Sequence, residues 1–489
     1  MAKKPRKEGW IIPGREKLAM VFGAGSPAAL QTFVGTFLAL YLLMVGISPA
    51  IAAAVLLIVR TIEIITDVLF GYIVDKHRFK PGRNRFAQWL FGGRYMPWFR
   101  LFFLVIPIGT MIIFTISTDL PLWVRITQYV IGYLIFDIGM TGASAYQLLP
   151  LSTTDNYEER TFVLSYNGLG QGFGALPVVF LGTVFIAGGL GYVGAAIVFS
   201  VIGLVLALIP AIVVKERNVT AYDEVKMKNY NVKEMFSALK GLPELFILLL
   251  GVLSWGIFYT TAYGLFVAFY IFDDANIAIF MTLFAVIPSV ILVPMLPAIF
   301  KRVDKIVIAR IACIIFAAAG IVINVLGPDF FAENISVILV LGLLQATAHV
   351  MTMFSCSMLM PDIAETIRFR SGKDIAASVN ATYLFTTKLA NTLVTSISLL
   401  ILGFFGWVAV EANSFEELAE LNEQGIGLQT ERALEGLWNV AYLFPLIGFG
   451  IAAVTFFFVN VKRKKVAVYM KCNSGEITKE EADRLLAEM

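Results

Sequence analysis

Arg60, Glu63 and Asp67 recur at helical spacing inside an apolar stretch that runs from Pro49 to Val74. Offsets of three and seven place all three on one helical face, which Gly71 and Asp75 continue. An ionisable group at the centre of a membrane helix costs about 2.5 to 3.5 kcal/mol on insertion scales, so two carboxylates a turn apart at that depth point to the handling of a cation or a proton. Lys388 stands in a second apolar segment, among Thr382, Tyr383, Thr386, Thr387 and Asn391. Brought near Glu63 and Asp67, it would form one coupled titrating cluster that a proton or small cation could control. A static ion-pair clamp is the other reading of the same residues. Asp137 is the remaining deep carboxylate, and Asn167 and Gln171 are polar groups on a further apolar segment that either face a cavity or bond between helices.

These residues need membrane helices to hold them. The chain is 58% hydrophobic, 13% aromatic and only 15% charged. It supplies about twelve apolar segments of the roughly 20 residues that a spanning helix requires. They begin near Met20, Pro49, Pro97, Leu122, Thr161, Tyr192, Leu242, Ala275, Ile306, Ser336, Ala376 and Gly436. The strict ten-residue alternation of a membrane barrel is absent. The expected fold is therefore an all-α polytopic membrane protein of two six-helix bundles. The parts are a tail at 1–19, bundles at 20–214 and 242–461, a polar linker at 215–241 and a C-terminal tail at 462–489, in which Thr478 and Glu481 form a capping box for a short helix.

Lys and Arg accumulate on alternate connections: the start, Lys76 to Arg94, the linker, Lys301 to Lys305 and Lys462 to Lys465. The positive-inside rule then puts both termini in the cytoplasm and the chain in the plasma (inner) membrane, with the first span retained. The net charge of +3 follows from this topology and calls for no nucleic-acid partner. Three cysteines without paired spacing and two histidines suggest no disulfide framework, zinc site or other cofactor. His349 is either a proton relay or a satisfied core histidine. Gly168, Gly170, Gly172 and Gly174 lie inside an apolar span, not between a strand and a soluble helix, so they read as close helix packing and not as a nucleotide loop. No His-Glu-x-x-His run or Gly-x-Ser-x-Gly elbow suggests an enzyme.

Several separated motifs together resemble the glycoside-pentoside-hexuronide cation symporters, the melibiose-permease branch of the major facilitator superfamily. The stretch from Arg60 through Glu63, Asp67 and Gly71 to Asp75 is similar to that family's second helix. Gly93-Arg94-Tyr95-Met96-Pro97-Trp98 resembles its entry to the third helix, and Pro150 with Asp155 and Arg160 resembles the loop after the fourth. Asp362-Ile-Ala-Glu365 resembles the acidic motif ending the tenth helix, and Lys388 falls at the spacing of the eleventh-helix lysine. The resemblance implies that Glu63 and Asp67 bind the coupling ion, H+ or Na+, with Thr66 able to supply an oxygen. Lys388 and Arg60 would be charge partners, and Asp75, Lys76, Arg94, Asp362 and Glu365 would latch the cytoplasmic side. It also implies a monomer, in contact with membrane lipid, that symports a small solute by alternating access.

The departures bear on the solute. Glu63 stands where that branch has Asp, and its sugar-binding acids fall on Pro27 and Gly142. Its fifth-helix arginine falls on Asn167, a threonine ligand of its sodium site on Gly139, and an extra segment around Phe79 to Gly92 lengthens one loop. Tyr146 keeps an aromatic position able to stack on a sugar ring. Candidate substrate residues are therefore Tyr146, Asn167, Gln171, Asp137, Tyr383 and Lys388. The expected solute is a sugar or glycoside, with a lysolipid or other amphipathic solute as the alternative and a non-transporting membrane sensor as a second. Loss of a neutral oxygen at Gly139 favours protons over Na+.

Overall fold

The computed structural model describes residues 10–77, 79–80, 83–154, 157–217, 243–300, 302–371, 376–473 and 475–488. Asp155, most of the linker (218–242) and the side chains of Asp67, Asp75, Lys76 and Arg160 lie outside the described parts. The chain divides into two compact units. Unit 1 is Met1–Met227 with Val408–Leu428, and unit 2 is Lys228–Trp407 with Gln429–Met489.

Unit 1 begins with α1 (Gly14–Met44) and α2 (Pro49–Lys76), followed by α3 (Arg85–Phe91), α4 (Met96–Phe102), α5 (Val105–Phe114) and α6 (Leu122–Ser144). After the short α7 (Leu149–Thr153) come α8 (Tyr157–Phe185) and α9 (Gly191–Val213). Pro49 opens α2 at a position whose N–H would be unpaired in any case. Gly188 and Gly189 leave helical geometry, Gly189 with φ 88°, and so divide α8 from α9 inside one long apolar run. The α3 helix occupies the extra segment after the second span; Asn84 caps it by accepting from Ala87 N at 2.7 Å, and Arg100 holds its end through the carbonyls of Trp89 and Gly92.

The α1 and α8 helices approach to backbone contact. A Cβ on Gly174 would fall 2.1 Å from the Gly25 carbonyl oxygen, and one on Gly170 would fall 2.3 Å from that of Val21, whereas Gly168 and Gly172 face open space. The glycine run is thus a packing seam for two of its four members. At the Lys/Arg-rich end, Glu159 anchors the chain before α1. Its solvent-inaccessible carboxylate accepts from Ile11 N (2.9 Å), Ile12 N (3.0 Å) and Thr154 Oγ1 (2.9 Å), and pairs with Lys17 Nζ at 2.7 Å. Burial alone would push its pKa up, but Lys17 and the three other donors hold it below the ordinary value.

Unit 2 comprises α10 (Pro243–Gly256), α11 (Gly264–Ile271), α12 (Ile277–Phe300), α13 (Lys305–Glu333), α14 (Ile335–Ser371) and α15 (Ala376–Phe404). Past the short α16 (Phe415–Glu423), which belongs to unit 1, it continues with α17 (Glu431–Trp438), α18 (Phe444–Phe457), α19 (Arg463–Asn473) and α20 (Lys479–Ala487). Its core stacks Phe316 on Phe449 at 3.7 Å between ring centroids, beside Trp255, Tyr259 and the half-buried His349. Arg310 reaches the end of α18, donating to the Phe456 (2.8 Å) and Val459 (2.6 Å) carbonyls left open where the helix stops. Thr478 caps α20, its hydroxyl accepting from Glu481 N at 3.3 Å.

Eight described stretches are long and apolar enough to cross a membrane. Length also suffices in α2 and α6, with 28 and 23 residues. The seventh apolar segment differs from expectation: it is broken between α10 and α11, where Thr260 Oγ1 accepts from Ala262 N at 3.1 Å and competes with the helical ladder. The connection after α15 contains α16.

Candidate cation site between α2 and α6

The α2 helix presents Arg60, Glu63 and Thr66 toward α6. The facing residues on α6 are Tyr129, Tyr133 and Asp137, spaced four apart and hence stacked along one face. Tyr133 donates its hydroxyl to Glu63 Oε2 at 3.1 Å. Thr66 Oγ1 lies 2.9 Å from Asp137 Oδ2 and 2.9 Å from the Glu63 carbonyl oxygen. Its single proton can satisfy only one of these two acceptors at a time. Asp137, Tyr129 and Tyr133 are 4%, 1% and 5% exposed, while Arg60 and Glu63 are half-buried. Tyr129 and Tyr133 sit edge to face at 6.0 Å, and the charges of Arg60 and Glu63 reach both of them.

This arrangement gathers carboxylate, hydroxyl and carbonyl oxygens at one place in the apolar interior of unit 1. Two of the carboxylates have a neutral hydroxyl in direct contact, so a proton can be held with little rearrangement. The same oxygens are of the hard type that Na+ prefers. Of the residues singled out from sequence, Glu63, Thr66 and Asp137 meet here, with Arg60 beside them. Asp137, expected at the solute site, bonds to Thr66, a residue expected to bind the cation. Sequence reasoning missed Tyr129 and Tyr133. The signal was present in the four-residue repeat that they share with Asp137.

The other candidates in unit 1 have surroundings of their own. Tyr146 is 2% exposed, its ring 4.5 Å from Phe99 and its hydroxyl 3.4 Å from the Met20 carbonyl, so it is enclosed in the wall of unit 1. Asn167 is buried on α8 with its Oδ1 unpartnered, and Gln171, one turn on, is exposed. Lys388 and Tyr383 lie on α15 in unit 2, Lys388 half-buried and Tyr383 packed in the core.

Of the expected latch residues, Asp362 and Glu365 have described side-chain partners, and the side chains of Asp75 and Lys76 lie outside the described parts. Asp362 is held by Lys305 at 2.7 and 2.8 Å, and Glu365 accepts from Asn473 Nδ2 at 2.7 Å, all within unit 2. In unit 1, the N–H groups of Arg94, Tyr95 and Met96 converge on the Glu216 carboxylate at 3.0, 2.9 and 2.6 Å. That carboxylate caps the start of α4, a favourable place for negative charge.

A family model described as MFS/sugar transport protein matches residues 21–463. The chain is similar to the uncharacterized symporter YnaJ of Bacillus subtilis (strain 168), at 23% identity over 464 residues and 92% of each chain. Its fold resembles the crystal structure of a D-xylose-proton symporter, with a TM-score of 0.61 at 16% identity, covering 92% of this chain and 98% of the other. It also resembles the nucleoside transporter NupG, with a TM-score of 0.58 at 13% identity over 93% and 99%. These solved structures are too distant to convey more than the fold, but the family match runs over nearly the whole chain: this protein belongs to the MFS/sugar transport family and is a multi-pass membrane transporter.

Proposed function

We propose that the protein is a cation-coupled symporter of the glycoside-pentoside-hexuronide type, carrying a sugar, glycoside or related small polar solute by alternating access of two six-span halves. The observation that carries this reading is the paired contact of Glu63 with Tyr133 and of Thr66 with Asp137 across α2 and α6. Such groups are expensive inside a membrane unless a charge is to be taken up there. The coupling ion, H+ or Na+, is cargo. Glu63, Thr66 and Asp137, together with Asp67 on the same helix, receive it. Lys388 is their charge partner in the other half, relinquishing them as the ion enters. Protons are favoured, because the Thr66 hydroxyl can turn between Asp137 and the Glu63 carbonyl as Asp137 gains or loses a proton. Moving one charge through the membrane potential is worth about 2.3 kcal/mol per 100 mV, which suffices to concentrate a neutral solute tens of fold. The protein acts as a monomer in the plasma membrane, with twelve spans and both termini cytoplasmic.

Ligand-induced thermal stabilisation of the detergent-purified protein tests this, across glycosides, pentosides, uronides, sulfosugars and lysolipids, with and without Na+ at two pH values. A sugar-class ligand whose effect depends on Na+ or pH supports the reading and names the ion. Stabilisation by lysolipid with every sugar silent replaces it with an amphipathic-solute carrier. Once the solute is known, Asp67→Asn is expected to abolish uphill accumulation while sparing exchange; full gradient-driven uptake by that variant would remove Asp67 from the coupling site.

A further inference from the structure

A cleft at the Lys/Arg-rich end of unit 2 lies wholly within that unit. Its walls come from three separate parts of the chain: Glu244 at the start of α10, Arg370 at the end of α14, and Lys462, Lys465 and Tyr469 on or just before α19. Two contacts hold α19 against the last turns of α14. Tyr469 stacks on Phe369 at 4.6 Å between ring centroids and 27° between planes, and Asn473 Nδ2 donates to the Glu365 carboxylate at 2.7 Å. Arg463 N donates to Asp304 Oδ1 at 3.0 Å, which ties the start of α19 to the start of α13. The α10 and α18 helices meet at Gly251, where a Cβ would fall 2.3 Å from the Phe456 ring.

Charge in the cleft is unbalanced. Arg370, Lys462 and Lys465 line it against the single carboxylate of Glu244. Arg370 takes up that carboxylate at 3.2 Å, while neither lysine pairs with an acid among the described residues. Glu244 is itself only half satisfied: Oε1 accepts from Arg370, whereas Oε2 is buried and has no donor. A buried acceptor left without a donor is costly. What completes the cleft must therefore bring negative charge for the lysines and a hydroxyl or amine donor for Glu244.

The surroundings indicate the source of such a ligand. Phe246 on α10 is 46% exposed, and Phe457 and Phe458, where α18 ends, are 58% and 67% exposed. Lys462 and Lys465 follow Phe458 by only four and seven residues. Exposed apolar helix surface thus runs up to a basic cleft at its Lys/Arg-rich end, and basic pockets between membrane helices on that side suit anionic lipid headgroups. At about 300 Å³, its open mouth included, the cleft is at the low end for a small-molecule site and fits a headgroup whose chains stay outside.

We propose that this cleft binds one anionic phospholipid of the phosphatidylglycerol class. The phosphate sits between Arg370, Lys462 and Lys465, a headgroup hydroxyl donates to Glu244, and the acyl chains run along Phe246, Phe457 and Phe458. Phosphatidic acid lacks the headgroup hydroxyl. Phosphatidylethanolamine offers a donor but is neutral overall, so it leaves the excess positive charge in place. A headgroup bound here joins α10, α14 and α19, so occupancy stabilises the folded chain.

Thermal unfolding of the delipidated, detergent-purified full chain tests this. The probes are dioleoyl phosphatidylglycerol, phosphatidylethanolamine, phosphatidylcholine and phosphatidic acid, and inorganic phosphate at matched concentration. Phosphatidylglycerol is expected to raise the melting temperature saturably and more than the others. Lys465→Gln and Lys462→Gln are each expected to raise the half-saturating lipid concentration about fivefold. Lys464→Gln, an exposed change of equal charge outside the cleft, is expected to leave it unaltered. Glu244→Ala is expected to erase the preference for phosphatidylglycerol over phosphatidic acid. Equal shifts in the Lys464 and Lys465 variants would reduce the effect to general surface attraction and overturn the proposal. Stabilisation by inorganic phosphate equal to that by lipid would assign the cleft to a free anion, and an equal response to phosphatidylethanolamine would remove the charge argument; either result also overturns it.

Discussion

Single side chains close this structure at points where helices leave polar groups exposed. Arg125, Arg310 and Glu216 each satisfy two or more backbone groups at a helix end, and Glu159 satisfies two in the segment before α1. Tyr133 does the corresponding service for a side chain, giving Glu63 a neutral donor. A hydrogen bond to a charged group contributes about 1.5 to 3 kcal/mol. Tyr133→Phe is therefore expected to change the concentration of coupling ion giving half-maximal uptake by about tenfold or more, with membrane expression intact; an unchanged cation dependence would leave Tyr133 as packing alone. Glu159 makes a prediction outside the membrane. Its folded pKa is depressed, so the stability it contributes is present at neutral pH and is lost as pH falls through the ordinary carboxylate range to the lowered folded value. Glu159→Gln is expected to lower the melting temperature at neutral pH and to shrink the loss seen on acidification. An acid sensitivity equal to that of the native protein would assign the effect to other carboxylates.

At the scale of elements, periodicity reveals which segments are helices, and that much was legible: eight described apolar stretches are helices long enough to span, and Arg60 and Glu63 share one face of α2. The α6 half of the cation site was harder to read, since Tyr129 and Tyr133 are apolar enough to pass as core and only their partners on α2 reveal them. The broken seventh segment was not legible either, because apolar content looks the same on both sides of a break set by Thr260. The glycine seam was legible as packing, yet which glycines touch α1 depends on rotation about the α8 axis. That rotation gives a paired prediction. Gly174→Val places carbon against the Gly25 carbonyl and is expected to cost about 1 to 3 kcal/mol through overpacking. Gly172→Ala, in open space, is expected to be neutral or to stabilise by about 0.5 to 1 kcal/mol, because alanine loses less chain entropy in a helix. Thermal unfolding of the two variants checks the seam; equal effects would mean that α8 is rotated from the position described.

For the whole molecule, sequence order and spatial order disagree in one place, and the disagreement has a measurable consequence. Cutting the chain within the linker, between Met227 and Lys228, separates unit 1 from its own segment 408–428, which stays on the C-terminal piece. The N-terminal piece alone then carries Arg125 without Glu411, and the end of α1 without the Val45 bridge. Arg125 is buried but Glu411 is exposed, so the pair itself contributes no more than about 1 kcal/mol; the piece also loses the buried contacts of Ala412, Phe415 and Leu418, so it is expected to accumulate poorly by itself and to be rescued when the C-terminal piece is co-expressed. Glu411→Ala on the C-terminal piece should weaken this rescue, whereas Glu420→Ala, an exposed change in the same segment, should not. Affinity capture through a tag on one piece, with the other followed by immunoblot, reads the result. Equal rescue by both variants would mean that the segment merely accompanies unit 1; selective loss with Glu411→Ala would mean that unit 1 is completed by chain lying some 180 residues beyond its end.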